Sequence, residues 1–280
     1  PPRAAVLKDL ESDHAYVFPG LAALQRQVHH LVRSVPGNGL LVKAQSDSAL
    51  DEVLAMGCWS PVERFGLDAG TGWSAQGVAP DGGRFDVHWG DACEGTVEWD
   101  LLGRHNVANA LAAIAAARHA GVPTAHAVAA LNRFRGIKRR LELRGKVGGV
   151  SVYDDFAHHP TAVATTLAGL RRRVGEARII AVLEPRSNTM RLGVHRDTLA
   201  PALAEADRVL LYSPDDLGWD LATVAAQMGE RARVCQDIGV IVEAVAETAT
   251  AGDHVLVMSN GGFGGIHERL LDALRVRGHE

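Results

Sequence analysis

Apolar residues recur at 21, 24, 28, 31 and 32 in the run Leu-Ala-Ala-Leu-Gln-Arg-Gln-Val-His-His-Leu-Val-Arg-Ser, and that spacing predicts a helix over 21–34. Pro36-Gly37-Asn38-Gly39 stops it, and Leu40-Leu41-Val42 then reads as a strand. A second helix is expected over 46–55 and a strand over 58–65. From Trp73 to Asp100 the period shortens to two with Gly breaks, as in Arg84-Phe-Asp-Val-His-Trp89, which predicts a local antiparallel meander. An alanine-rich helix begins at Asn106 within 105–120, and Pro123 starts another that ends near Phe134.

Gly136-Ile-Lys-Arg-Arg-Leu-Glu-Leu-Arg-Gly145 reads as a basic strand, and Gly148-Gly149 follows it. The domain boundary is placed here, giving domains 1–144 and 145–280. Beyond it the pattern alternates regularly. Strands are expected near 150–155, 178–183, 208–212, 232–235 and 254–258, with helices at 160–173, 195–205, 217–228, 238–249 and 265–277. Strand and helix alternating at this spacing mean βαβ crossovers and a mostly parallel sheet covered on both faces. The fold class is therefore α/β, with a Rossmann-like second domain.

Composition narrows the function without naming it. A chain of 280 residues can bury two cores, and 47% hydrophobic with 22% charged residues describes an ordinary globular protein. A net charge of −4 argues against nucleic acid as the partner, and no apolar run is long enough to span a membrane. Cys58, Cys93 and Cys235 are odd in number, widely spaced and without CxxC, which fits a reducing, cytoplasmic setting. Pro1-Pro2-Arg3 leads abruptly into Val6-Leu7, so the chain is expected to be part of a longer one. Nothing in the pattern specifies an oligomeric state.

The densest chemistry lies at 152–160, Val-Tyr-Asp-Asp-Phe-Ala-His-His-Pro, where a strand runs into two carboxylates and two imidazoles before a helix opens at Pro160. Open α/β sheets bind ligands at such carboxyl ends. A polar turn with a helix cap is the plainer alternative. Glu184-Pro-Arg-Ser-Asn-Thr-Met190 follows the strand ending at Leu183 and projects from the same edge; the Arg186 guanidinium there suits a carboxylate and Asn188 adds an amide. Met258-Ser-Asn-Gly-Gly-Phe-Gly-Gly-Ile-His267 offers backbone amides to an anion but lacks the GxGxxG spacing of a dinucleotide site. Asn106 and Asn109 share a helix face, as an adenine edge would require or as a cap and a solvated Asn would also produce. Arg139 and Arg140 can hold a phosphate or form a solvated basic strand edge, and His14 beside Asp13 can ligate a metal or lie on the surface. No GxxxxGK[ST] loop occurs.

Taken in order, Asp13-His14, Gly103-Arg-His-Asn-Val-Ala-Asn109, Arg139-Arg-Leu-Glu142 and Asp154-Asp-Phe-Ala-His-His-Pro160 resemble the Mur ligases, ATP-dependent amide-forming enzymes of bacterial cell-wall assembly. The 184–190 and 258–267 segments look like the branch of that family working in peptidoglycan recycling. Those enzymes join UDP-N-acetylmuramate to L-alanyl-γ-D-glutamyl-meso-diaminopimelate. The resemblance implies three domains, of which this chain would carry the later part of the central ATPase domain and the whole third domain. The UDP-sugar domain, the phosphate loop and a metal-binding Glu would lie upstream, leaving the polypeptide inactive alone.

Residue by residue, the resemblance assigns His14 to the Mg²⁺ shell and Asn106 and Asn109 to adenine, with His105 nearby. Arg140, with Arg139 as the weaker candidate, would approach the ATP phosphates. Asp155 would meet the ribose and His158 the γ-phosphate. Arg186 and Asn188 would read the diaminopimelate end of the peptide, with Ser259 and Asn260 lining that pocket. The implied mechanism passes through an acyl phosphate that the peptide amine attacks, protected from water by domain closure. The alternatives are addition of L-alanine, a non-catalytic module that captures muropeptides and, less well supported, a Rossmann oxidoreductase.

Overall fold

In the computed structural model, which describes residues 1–10, 20–68, 70 and 72–277, the chain divides into units Pro1–Arg135 and Gly136–Glu280. The first is built on β1 (Ala4–Leu7), β2 (Leu40–Ala44), β3 (Val62–Gly66), β4 (Trp73–Gln76), β5 (Arg84–Trp89) and β6 (Ala92–Glu98), which form one sheet in chain order. β1 to β4 pair parallel and β4 to β6 antiparallel, so the expected meander is half of a larger sheet. α1 (Leu21–Ser34), α2 (Ser48–Ala55), α3 (Arg104–His119) and α4 (Thr124–Leu131) complete the unit.

Local chemistry sets several of these bounds. Asp47 Oδ1 accepts from the Leu50 amide at 2.9 Å, capping α2 two residues later than the apolar pattern suggested. α1 forms as predicted, yet Gln25 and Val32 are its buried residues while Leu21 and Leu31 stay 37% and 42% exposed. Its inward stripe is narrower than the apolar spacing implied. The alanines of α3 let the helix lie close to the sheet, where Val107, Leu111 and Ile114 join Trp73, Phe85 and Val97 in one core.

The second unit holds β7 (Glu142–Val147), β8 (Val150–Asp155), β9 (Ile179–Leu183), β10 (Arg208–Tyr212), β11 (Ala232–Cys235) and β12 (His254–Met258). Their order is β11-β10-β9-β12-β8-β7, parallel throughout except for the β7–β8 hairpin. Gly148 and Gly149 turn that hairpin at φ 55° and 82°, a backbone that side chains with a Cβ resist. β9 is buried at every position, as a central parallel strand requires. The helices are α5 (Pro160–Val174), α6 (Asn188–Arg191), α7 (Arg196–Ala202), α8 (Ala222–Met228), α9 (Ile238–Thr248) and α10 (Ile266–Arg277). α6 was not predicted, because four residues are too few to show a period.

Two expectations need correction. Arg139 and Arg140 do not lie on a strand: β7 starts at Glu142, and Arg139 and Leu141 have φ of 59° and 50°, which no ladder continues. Residues 136–144 also belong to the second unit rather than to a first domain ending at 144. The Leu141 amide donates to Asp155 Oδ2 at 2.7 Å and Arg139 Nη2 donates to the Gly261 carbonyl at 2.7 Å, tying this loop to β8 and to the turn after β12.

Candidate active site

The insertion of β12 between β8 and β9 brings together three chain segments that are far apart in sequence. The Ser259 amide donates to the Asp155 carbonyl at 3.1 Å, and the Glu184 amide donates to the Met258 carbonyl at 3.0 Å. The loops that follow Asp155, Leu183 and Met258 therefore leave one carboxyl edge side by side. This is the juxtaposition expected of the 154–159 and 184–190 segments, with the 259–262 turn between them.

A buried polar network fixes these loops. Ser259 Oγ donates to Glu184, which is 7% exposed, and accepts from the Gly261 amide at 2.9 Å. Glu184 Oε1 lies 3.9 Å from Arg186 Nη1. The Arg186 side chain crosses directly over Gly261, where an added Cβ would stand 2.5 Å from Arg186 Cδ. Only glycine leaves room for that guanidinium. Ser187 Oγ accepts from the Met190 amide at 3.3 Å and so caps α6, leaving Asn188 exposed on its first turn. Asn260 Oδ1 is enclosed and has no hydrogen-bond partner among the described residues, an acceptor waiting for a donor.

The four residues of the acid–imidazole run separate into different duties. Asp154 lies 3.3 Å from both Arg139 Nε and His267 Nε2. Burial pushes its carboxyl up, but the His267 and Arg139 contacts outweigh burial and hold it below the ordinary carboxylate value. Asp155 is 4% exposed and accepts from the amides of Ala157 and Leu141 at 2.8 and 2.7 Å and from Thr166 Oγ1 at 3.3 Å. Desolvation raises its pKa against those bonds. Oδ1 takes two of these bonds and Oδ2 one, so the carboxylate braces the loops around it.

His158 is half-buried, with Nδ1 2.9 Å from the Phe156 carbonyl. A carbonyl only accepts, so Nδ1 carries the proton and Nε2 is left for chemistry. His159 caps α5, its Nδ1 accepting from the Thr161 amide at 3.4 Å. Arg140 is exposed, with its guanidinium 5.6 Å from the centre of the Phe156 ring, and makes no ion pair among the described residues. Arg139, by contrast, is committed to Asp154 and to two carbonyls of the 259–261 turn. Between the two arginines, the arrangement leaves Arg140 free for a phosphate.

Sequence reasoning missed Glu184 as the partner of Ser259, and it missed His267, Arg144 and Glu268, which with Arg139, Asp154, Gly261, Gly262 and Gly265 line a recess of 270 Å³. Arg144 and Glu268 pair at 3.0 Å on its rim. His267 stood in a quoted motif; its meeting with Asp154 depends on the β12 insertion, which no local pattern shows.

In the first unit Asn106 Nδ2 donates to the Leu102 carbonyl at 2.8 Å and its Oδ1 accepts from Asn109 Nδ2 at 3.3 Å. The two amides share a face, as expected. Asn106 is half-buried and structural in its bonding, whereas Asn109 is exposed; His105 is half-buried in the first turn of α3 beside Asn106. His14 lies outside the described residues, and among the described residues no cluster of three metal-binding side chains occurs.

Comparison with known families gives a direct result. A model of the Mur ligase middle domain matches residues 1–117, and a model of the Mur ligase glutamate ligase domain matches residues 139–261. This chain belongs to the Mur ligase family. Within it, the chain is 51% identical to the UDP-N-acetylmuramate–L-alanyl-γ-D-glutamyl-meso-2,6-diaminoheptandioate ligase of Escherichia coli K12, over 98% of this chain and 60% of that enzyme. A crystal structure of a murein peptide ligase from Psychrobacter arcticus 273-4 superposes with a TM-score of 0.72 at 42% identity, covering 98% of this chain and 58% of the other. A UDP-N-acetylmuramate–L-alanine ligase from Acidithiobacillus ferrooxidans is 32% identical over 93% of this chain and 59% of that protein. The chain thus spans about three-fifths of the length of the Mur ligases it matches. The two matched domains agree with the two units of the fold, and the 139–261 match starts within the unit that begins at Gly136.

Proposed function

We propose that the full-length protein carrying this chain is an ATP-dependent ligase that joins the lactyl carboxylate of UDP-N-acetylmuramate to the free amine of L-alanyl-γ-D-glutamyl-meso-diaminopimelate. One observation carries the choice of amino substrate: Arg186 lies over Gly261 at the mouth of the 184–190 and 259–262 loops, with Asn188 exposed nearby in sequence and Asn260 Oδ1 unpartnered. A guanidinium offers two parallel donors to a peptide carboxylate, and an unpartnered amide oxygen accepts from an ammonium or amide N–H. Free alanine is too small to need so extended a reader. The 51% identity to an enzyme named for the tripeptide, against 32% to one named for L-alanine, supports the same choice.

The chemistry divides among residues accordingly. His105, Asn106 and Asn109 hold the adenine of ATP, with Asn109 making the base contact and Asn106 fixing it. Arg140 and His158 Nε2 face the transferring phosphoryl group, where the positive charge of the Arg140 guanidinium favours the dispersed negative charge of its transfer. Arg139 and Asp155 act behind them by holding the 139–141 loop and the His158 loop in place. Magnesium bound to ATP supplies charge neutralisation at the phosphates, and His14 is its candidate protein ligand. Substrates held in line, with water excluded, protect the activated carboxylate until the amine attacks. The setting is the cytoplasm, where ATP and the UDP-sugar are found; among the described residues no helix is long and apolar enough to cross a membrane.

The test is a coupled assay of the full-length protein with UDP-N-acetylmuramate and Mg-ATP, supplied with tripeptide or with L-alanine. Tripeptide-dependent phosphate release and a product of the corresponding mass are expected. Ligation of L-alanine in preference to tripeptide would overturn the substrate assignment. Peptide binding by calorimetry without nucleotide turnover would reduce the protein to a muropeptide-capturing module.

A further inference from the structure

The segment from Arg186 to His195 is internally bonded along its length. The Arg191 amide donates to the Ser187 carbonyl at 2.8 Å, the Leu192 amide to Asn188 at 3.0 Å and the Val194 amide to Thr189 at 3.4 Å. One side of this segment is anchored on the loop after β10: Trp219 Nε1 donates to the Met190 carbonyl at 2.6 Å, Arg191 pairs with Asp216 at 2.7 Å, and Gly193 passes 3.0 Å from the Trp219 ring where a Cβ would stand. The other side ends in His195. Its ring meets that of His159 edge to face, with centroids 4.2 Å apart and planes at 75°. His159 is the cap of α5 and the immediate neighbour of His158. A loop read as the peptide contact and a loop read as the phosphoryl contact therefore meet at an aromatic pair.

We propose that His195 is a positioning residue that sets Arg186 and Asn188 relative to His158 through its contact with His159, so that the peptide amine is delivered at a fixed distance from the phosphoryl-contacting imidazole. This rests on the reading of Arg186 and Asn188 as peptide contacts. Two further features favour alignment over mere cohesion. Both imidazoles are half-buried on loops rather than in the core, and the Trp219 and Arg191 contacts already hold the segment to the domain without them. What the imidazole pair adds is the connection to the α5 cap. A displacement on the scale of an ångström between reacting groups costs far more in rate and substrate use than in stability.

The test uses the full-length protein with His195→Ala, His159→Ala, the double variant, His195→Phe and, in parallel, Arg186→Ala. His195→Ala is expected to raise the peptide KM about tenfold while the ATP KM moves by less than about twofold. His159→Ala raises the peptide KM similarly, and the double variant is no worse than the more impaired single, since both remove one contact. His195→Phe, which keeps an edge-to-face ring, returns the peptide KM to within about threefold of the parent value. If His195→Ala fails to fold, His195→Leu retains the volume without the ring and is expected to show the same KM rise.

Independent effects that multiply in the double variant, equal rises in both KM values, or a Phe variant no better than Ala would each overturn the positioning role. If Arg186→Ala leaves the peptide KM unchanged, the peptide-site reading falls and the positioning role falls with it. If Arg186→Ala raises that KM and His195→Ala does not, the positioning role alone is wrong.

Discussion

The two sheets of this chain have six strands each, yet only one of them builds a crowded edge. In the first unit, strand order follows chain order, and its loops are tied over shorter separations, as in Leu10 with Asp47 and Glu98 with Asn132. In the second, β12 slides between β8 and β9, and residues separated by more than 70 positions share hydrogen bonds, Ser259 with Glu184 and Arg139 with Gly261. The polar chemistry differs accordingly. Asn106 and Asn109 bond to each other and Asn106 to its own helix entry, while the buried Asp154 and Glu184 meet His267 and Ser259 from distant segments. A strand crossover, and not a richer local motif, turns one edge into a candidate site.

The largest effect that separates the two units should come from Arg139→Met. It leaves Asp154, 3% exposed as a residue, without its nearest guanidinium and frees the 259–261 carbonyls, at a cost of about 3 kcal/mol. Hydrogen exchange should show β8 and β12 amides losing protection while β2 and β5 amides keep theirs. A uniform loss would erase the distinction drawn here.

Acid should act in the same direction. The pKa values of Asp154 and Asp253 are both lowered despite burial, by His267 and Arg139 in the first case and by Arg178 and the Thr250 amide in the second. A lowered folded-state value gives stability that is present above the unfolded carboxylate pKa and lost as pH falls through the folded value. Asp155, whose value is raised, works oppositely and gains as it protonates. With two buried groups against one, the second unit should lose exchange protection before the first on titration from neutral pH to below about 4. The first unit has Asp51 shifted in the same sense, but its side chain is 46% exposed and contributes less.

A smaller effect sharpens the contrast by separating binding from folding. Gly261→Ala forces the Arg186 side chain aside, and that exposed chain can move, so stability should change by less than about 1 kcal/mol. Peptide affinity measured by calorimetry should fall about tenfold, the scale of one lost charge-assisted contact. Smallest of all, Asn106→Ala should cost the first unit about 1 kcal/mol through its bond to the Leu102 carbonyl, and Asn109→Ala less than about 0.5 kcal/mol. Both should weaken nucleotide binding, and chemical denaturation beside nucleotide titration distinguishes the two roles.

What could be read in the sequence followed from local physics. The strands at 150–155, 208–212, 232–235 and 254–258 were bounded to the residue, because buried parallel strands are short apolar runs closed by polar turns. Arg186, Asn188, Ser259 and His158 were legible as residues placed after strand ends, and the structure brings their loops to one edge. The duties of Arg139 and Asp155 were not legible. A left-handed backbone at Arg139 and the Leu141 amide on Asp155 are tertiary facts that give both residues a bracing role which no local pattern shows. The imidazole pair at His159 and His195 was hidden for the same reason, its members standing 36 positions apart with no shared period.

The central claim, that the edge after β8, β9 and β12 is where the amino substrate sits, is tested most directly by hydrogen exchange of the full-length protein with and without L-alanyl-γ-D-glutamyl-meso-diaminopimelate. Protection is expected in the backbone amides of 156–159, 184–195 and 259–265, with none at the amino-terminal ends of β9 and β10. Unchanged exchange in those three loops at saturating peptide, or protection found only elsewhere, would contradict it.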